Sequence, residues 1–117
     1  TLSNRSGMME NAEYSIASLK QPMKRPCYYP HYTFFMDYTG EVLICSHDWG
    51  KKLVVGNLQN EKFIDIWCNE KYSKARKDLA VANRNFAPCD KCDVMGTFMG
   101  IDHVKAWNKS EKILKNE

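Results

Sequence analysis

The stretch Tyr32-Thr-Phe-Phe-Met36, Asp37-Tyr-Thr-Gly40, Glu41-Val-Leu-Ile-Cys45 decides the fold. Two runs of aromatic and β-branched residues flank a four-residue turn, the pattern of a β-hairpin. An aspartate opens the turn and a glycine stands where positive φ is needed, which predicts a type I turn closed by a glycine bulge. The second strand ends on Cys45, so a rigid element aims that sulfur.

Outward from the hairpin, Ser46 to Lys52 reads as a polar loop, and Leu53-Val-Val55 as a short third strand stopped by Gly56-Asn57. Asn60 is expected to cap a short helix carrying Phe63, Ile64, Ile66 and Trp67. Asn69 is expected to cap a second, from about Glu70 to Asn83, with Tyr72, Ala75, Arg76, Leu79 and Ala82 at helical spacing. Pro88-Cys-Asp-Lys-Cys92 forms a tight knuckle whose backbone N–H groups can point at sulfur. Beyond it Gly96 and Gly100 bracket an apolar turn, and Ile101 to Leu114 predicts a terminal helix bearing Trp107. Upstream, Pro22, Pro26 and Pro30 exclude regular helix over Gln21 to Pro30 and hold Cys27 in an extended loop. Met8 to Lys20 has loose helical spacing, and Thr1 to Gly7 reads as a frayed end. The fold class is α+β: a small β-hairpin plus a short third strand, packed by helices and stapled by one four-cysteine site.

A chain of 117 residues makes one domain with a modest core. The 17 Lys+Arg against 14 Asp+Glu leave a net charge of +3, too weak and scattered for nucleic acid. No run approaches the roughly 18 apolar residues of a membrane span. Thr1 to Lys20 lacks the apolar segment of a secretory signal. Five cysteines, one Cys-x-x-Cys pair and six methionines suit a cytoplasmic, oxygen-poor setting better than a disulfide framework.

Four of the five cysteines stand where a metal site needs them: Cys27, Cys45, Cys89 and Cys92. Thiolates are soft ligands, and four of them close a tetrahedral or a cubane site. The Cys89–Cys92 pair follows a helix and precedes glycines, which is not the βαβ context of a thioredoxin-like redox motif. Seventeen residues separate Cys27 from Cys45, and a hairpin folds that span back so its ends lie side by side. The residues alone leave zinc, a single iron and an iron–sulfur cluster open as occupants. Cys68, beside Trp67, reads as a small buried hydrophobe. His47 and Asp48 read as solvated loop, His31 and His103 carry no partner signal, and Trp49, Trp67 and Trp107 read as packing. Lys71, Lys74 and Lys77 form a solvated face.

The ordered series Gly40-Glu-Val-Leu-Ile-Cys45, Gly56-Asn57, Phe63-Ile-Asp-Ile-Trp67 and Pro88-Cys-x-x-Cys92 resembles the SPASM/Twitch auxiliary-cluster domain of radical S-adenosylmethionine enzymes. The resemblance covers about Cys27 to Cys92. It divides the chain into 1–25, a linker or the end of a preceding domain; 26–95, the cluster-binding core; and 96–117, a helical extension. Full SPASM domains carry further cysteines where this chain has Phe98 and Asp102, so the single-cluster Twitch version is the one implied. That version places Cys27, Cys45, Cys89 and Cys92 on one [4Fe–4S] cluster, an electron acceptor or relay that also helps wall a pocket for a peptide or small molecule. No Cys-x3-Cys-x2-Cys run is present, so S-adenosylmethionine is expected on a separate radical SAM barrel domain, with this chain a C-terminal fragment of an oxidoreductase or maturase. No catalytic residue is assigned. The rival readings are a zinc-stabilised peptide- or protein-binding module and a rubredoxin-like carrier with one iron.

Overall fold

The turn predicted at Asp37–Gly40 is formed by the chemistry that predicted it. Gly40 takes φ +89° and its N–H reaches Asp37 O at 3.1 Å, while the Asp37 N–H donates to Glu41 O at 3.0 Å. The Asp37 carboxylate accepts from Thr39 N, Thr39 Oγ1 and Glu41 N, and it pairs with Lys51. These donors and the ammonium hold the Asp37 carboxyl down at about 2.

The structure, a computed structural model, describes residues 4–10, 19–94 and 101–115, with 110–115 described by backbone alone. Its strands are shorter than the sequence pattern suggests: β1 is Phe35–Met36 and β2 is Glu41–Leu43. Two local events shorten them. Before β1, Pro30 sits in the first turn of a one-turn helix, α1 (Tyr29–Tyr32), where a proline loses no helical hydrogen bond. Thr33 then turns the chain extended, its N–H and hydroxyl both donating to Tyr29 O. After β2, a bulge between Val42 and Leu43 ends regular pairing, so Ile44 and Cys45 leave the ladder.

Strand β3 (Val54–Asn57) completes an antiparallel sheet of order β1-β2-β3. Gly56 lies inside β3 opposite Val42. The fully buried Ile66 presses on it so closely that a Cβ there would lie 2.7 Å from Ile66 Cγ1. Glycine is required by this contact. Ile66 belongs to α2 (Phe63–Trp67), whose N-cap is Lys62 rather than the expected Asn60. Asn60 is instead drawn into the turn after β3, its N–H donating to Asn57 O.

Helix α3 (Glu70–Ala80) starts as predicted, with the Asn69 side chain accepting from Tyr72 N at 2.9 Å. Asn69 Nδ2 also donates to Val55 O, tying the cap to β3. The helix ends three residues short of Asn83, and Ala82 takes φ +63° in the exit. Tyr72, Ala75, Arg76 and Leu79 face inward, while Lys71, Lys74 and Lys77 are exposed as expected. The core is Val42, Ile44, Val55, Ile66, Tyr72, Ala75, Leu79 and Cys89. It is the α+β architecture predicted: a short antiparallel sheet packed by helices.

Helix α4 (Ile101–Lys115) packs back on α1, where Trp107 Nε1 donates to His31 O at 3.1 Å. His31 is buried edge-on against the Tyr28 ring at 6.1 Å and Tyr32 meets the His103 ring at 5.3 Å, so both histidines have aromatic partners. The Arg76 guanidinium is enclosed by three rings, at 4.4 Å from Trp67, 4.1 Å from Tyr72 and 4.2 Å from Trp107. Burial lowers it to about 10, still charged at neutral pH. Of the expected Met8–Lys20 helix, 8–10 and 19–20 are not helical and 11–18 lie outside the described residues, as does the Gly96–Gly100 turn. Among the described residues no helix is long and apolar enough to cross a membrane.

Candidate metal centre

Each of the four singled-out cysteines is delivered by a different local device. Cys27 follows Pro26 in the extended loop and is held by its N–H donating to Leu79 O at the end of α3. Cys45 follows the β2 bulge, and its carbonyl accepts from Asp48 N. Cys89 and Cys92 bracket a 3-10 turn, Cys89–Lys91, closed by Cys92 N–H donating to Cys89 O at 3.3 Å. Val94 N–H points at Cys92 Sγ at 3.4 Å, as expected for a knuckle that offers amides to sulfur.

All four thiols line one small closed cavity, with Ser6, His47 and Arg84 among its other walls. None is in a disulfide. Cys68 is not the buried filler expected of it: it ends α2 and is exposed, because the apolar side of α2 is taken by Ile66. Among the described residues, no three Cys, His, Asp or Glu side chains close on a single point as ligands of one metal ion would.

Burial dominates their electrostatics. It pushes the Cys27 thiol up, with Arg84 opposing. Cys45 rises to about 12 through burial and then the neighbouring Cys92 and Cys27. Cys89 rises through burial and then Cys45, Cys27 and Cys92, again with Arg84 opposing. Thiols that raise one another in this way are close neighbours, and a cation has to replace their protons before they ionise together.

A pH dependence follows for metal-free protein. The raised folded-state value means the unfolded chain ionises first, so the contribution is complete below the ordinary 9.0 and fades as pH climbs toward about 12. Cys45 alone is expected to cost ~2–3 kcal/mol between pH ~9 and ~11. Urea midpoints of metal-free protein at the two pH values measure it, and an unchanged midpoint refutes it.

Sequence reasoning missed several groups around this cavity. Asp48 was read as solvated but is buried, its carboxylate accepting from Lys52 N and Leu53 N to fix the loop after Cys45. His47 stacks on Tyr29 at 5.9 Å, and burial holds it below its ordinary range. Arg84 is 1% exposed; it donates to Arg25 O and Pro26 O before Cys27 and to Val94 O after Cys92. Nothing in Asn83-Arg-Asn85 distinguishes it from a surface loop. The expected frayed end is also pinned over 4–7, as Asn4 is fully buried against the knuckle.

Comparison with known proteins meets this geometry. The SPASM model, described as an iron–sulfur cluster-binding domain, matches residues 27–93, a span that opens on Cys27 and closes just past Cys92. The S-adenosyl-L-methionine-dependent 2-deoxy-scyllo-inosamine dehydrogenase of Niallia circulans is 32% identical over 94 residues, covering 79% of this chain and 35% of that protein. The chain thus spans about a third of that relative's length. The crystal structure of BtrN in complex with AdoMet and 2-DOIA superposes with TM-score 0.65 at 30% identity, over 80% of this chain and 35% of that one. The open conformation of SeMet BtrN gives 0.55 at 25% identity, over 65% and 39%. More than half the chain, bounded by its own cysteines, follows one pattern, and the chain belongs to the SPASM family of iron–sulfur cluster-binding domains.

Proposed function

We propose that this chain is the auxiliary domain of a radical S-adenosylmethionine enzyme and holds one [4Fe–4S] cluster on Cys27, Cys45, Cys89 and Cys92. The observation that carries the reading is that four thiols from three separate stretches of the sequence, none in a disulfide, line one cavity. The donor set suits the group, and so do two buried polar atoms: Ser6 Oγ and His47 Nδ1, both in cavity-lining residues, lack a hydrogen-bond partner. Zinc or a single iron would draw its sulfurs to about 2.3 Å from one point. A cubane would take one thiolate on each iron, and the matching family's description as an iron–sulfur cluster-binding domain favours that occupant over a single ion.

When bound, the cluster supplies a one-electron acceptor. The chain's own residues hold and shield it. Arg84 ties the loop before Cys27 to the exit of the knuckle and sets a positive charge beside the thiolates. The Tyr29–His47 stack covers one side. A shallow cleft lined by Thr33, Phe35, Ser46 and His47 shares Cys45 with the cysteine cavity and offers a wall for a substrate. An electron acceptor beside such a wall suits an oxidation of the kind the relative's name, a dehydrogenase, describes. S-adenosylmethionine then belongs to a barrel domain partnering this one, since the chain carries no Cys-x3-Cys-x2-Cys run.

Anaerobic purification with iron, sulfide and zinc quantified is the test. About four irons and about four sulfides per chain are expected. Zinc without sulfide would replace the reading with a zinc-stabilised binding module, and one iron without sulfide with a mononuclear carrier.

A further inference from the structure

Residues 4–7 lie outside the stretch that matches the family, yet one of them, Ser6, is part of the wall around the four thiols. The segment is clamped from one side by the knuckle. Asn4 N donates to both Asp93 carboxylate oxygens at 3.0 and 3.1 Å, Asn4 Nδ2 donates to Lys91 O at 2.6 Å, and Asp93 N returns a bond to Asn4 Oδ1 at 3.3 Å. From the other side it is held by the loop after Cys45: Arg5 lies over the Trp49 ring at 5.1 Å, and Met8 packs against Gly50. Between these anchors the chain is strained. Arg5, Ser6 and Gly7 take φ of 49°, 56° and 86°, two of them non-glycine residues in the left-handed region.

This strain delivers one group. Ser6 is 5% exposed and lines the cysteine cavity, and its hydroxyl has no hydrogen-bond partner. A buried hydroxyl without an acceptor destabilises the fold, so serine is a poor choice at this point unless the acceptor arrives with a ligand. Cluster sulfurs are such acceptors. Resting on the cluster reading above, we propose that Ser6 donates a hydrogen bond to a cluster sulfur, and that the 4–7 strap is a component of the cluster site which the family pattern does not contain. A donor to sulfur favours the more negative, reduced cluster, and a strap that excludes water protects it.

The test uses Ser6→Ala and Ser6→Gly in the intact protein, glycine being at ease at φ 56° and removing the backbone strain at that position. Iron and sulfide content should match the wild type. In a redox titration followed by electron paramagnetic resonance, both variants should show the reduced-to-oxidised ratio at fixed potential falling about tenfold, which is ~59 mV for one electron. In heavy water, pulsed resonance of the reduced wild type should show an exchangeable hydrogen coupled to the cluster that both variants lack. A four-iron cluster whose potential and coupling are the same in both variants overturns this inference and leaves the cluster reading intact. A wild-type chain without a cluster overturns both. In metal-free protein the two substitutions should be neutral or stabilising, since an unsatisfied hydroxyl is removed; a clear loss of stability there would mark Ser6 as merely structural.

Discussion

Replacing Cys89 by alanine is expected to drop iron from about four per chain to below one, while costing the metal-free fold only ~1 kcal/mol. The two effects separate because Cys89 holds two positions at once. Its side chain is 7% exposed and belongs to the same buried cluster as Val42, Ile66 and Leu79. Alanine removes one sulfur from that core, a small loss of packing. The same atom is one of four thiolates facing the cavity, and a cubane left with three exposes an iron to solvent and exchange. Cys68→Ala supplies the contrast, since that thiol is exposed at the end of α2 and lies outside the cavity; its iron content should be unchanged. Iron and sulfide analysis, with urea unfolding of the metal-free forms, reads both arms. Full iron retention in Cys89→Ala would remove Cys89 from the ligand set.

What could be seen in the sequence is what short-range chemistry determines. Asp37 and Gly40 build their turn from atoms within four residues, and Asn69 caps α3 by a bond to Tyr72, three residues on. The cysteines were visible for a different reason, since a thiolate has few uses at that spacing; what fastens Cys27 is Leu79 O at the end of α3 rather than the hairpin. The strand ends were not visible. Pro30 was read as a helix breaker, but at the first turn of α1 its missing N–H costs nothing, and the helix takes Tyr32, the first residue of the strand-like run. Asn60 is not the cap because it lies in the turn after β3, two residues before the Lys62 N-cap from which α2 starts.

Asn4 and Arg84 were hidden because their partners, a carboxylate and backbone carbonyls, are distant in sequence. Asn4 and Asp93 are 89 positions apart, and Arg84 and Arg25 are 59 apart. A polar residue in a polar loop reads as solvated until its partner is placed. Asp48 misled in the same way over a shorter distance, binding the amides of Lys52 and Leu53 where a β-turn aspartate would have been recognised. Arg76 sat within an apolar helical stripe, and the three rings around it together with Pro30 O, which accepts from its Nε at 2.9 Å, explain a cation there.

Arg84 puts that long-range chemistry to its hardest test. Arg84→Met is expected to cost ~2–4 kcal/mol, because three part-buried carbonyls lose the donor they share and each charge-assisted bond is worth ~1–3 kcal/mol at most. The carbonyls belong to Arg25, Pro26 and Val94, at 2.8, 3.3 and 2.8 Å, so one guanidinium fastens the approach to Cys27 onto the exit from Cys92. Methionine matches the stem but leaves both segments free to part. Iron loading should therefore fall with stability. Arg84→Lys divides the contributions of charge and shape: an ammonium keeps the positive charge that opposes the upward push on Cys27 and Cys89, but its single head cannot span three carbonyls as the planar fork does. Lysine should recover about half the lost stability, with an unchanged urea slope showing that the folded state is otherwise intact. Equal damage from methionine and lysine would assign the residue's role wholly to its fork. Full recovery by lysine would assign it to charge, and the tie between the Cys27 loop and the knuckle would not be what holds the thiols in place.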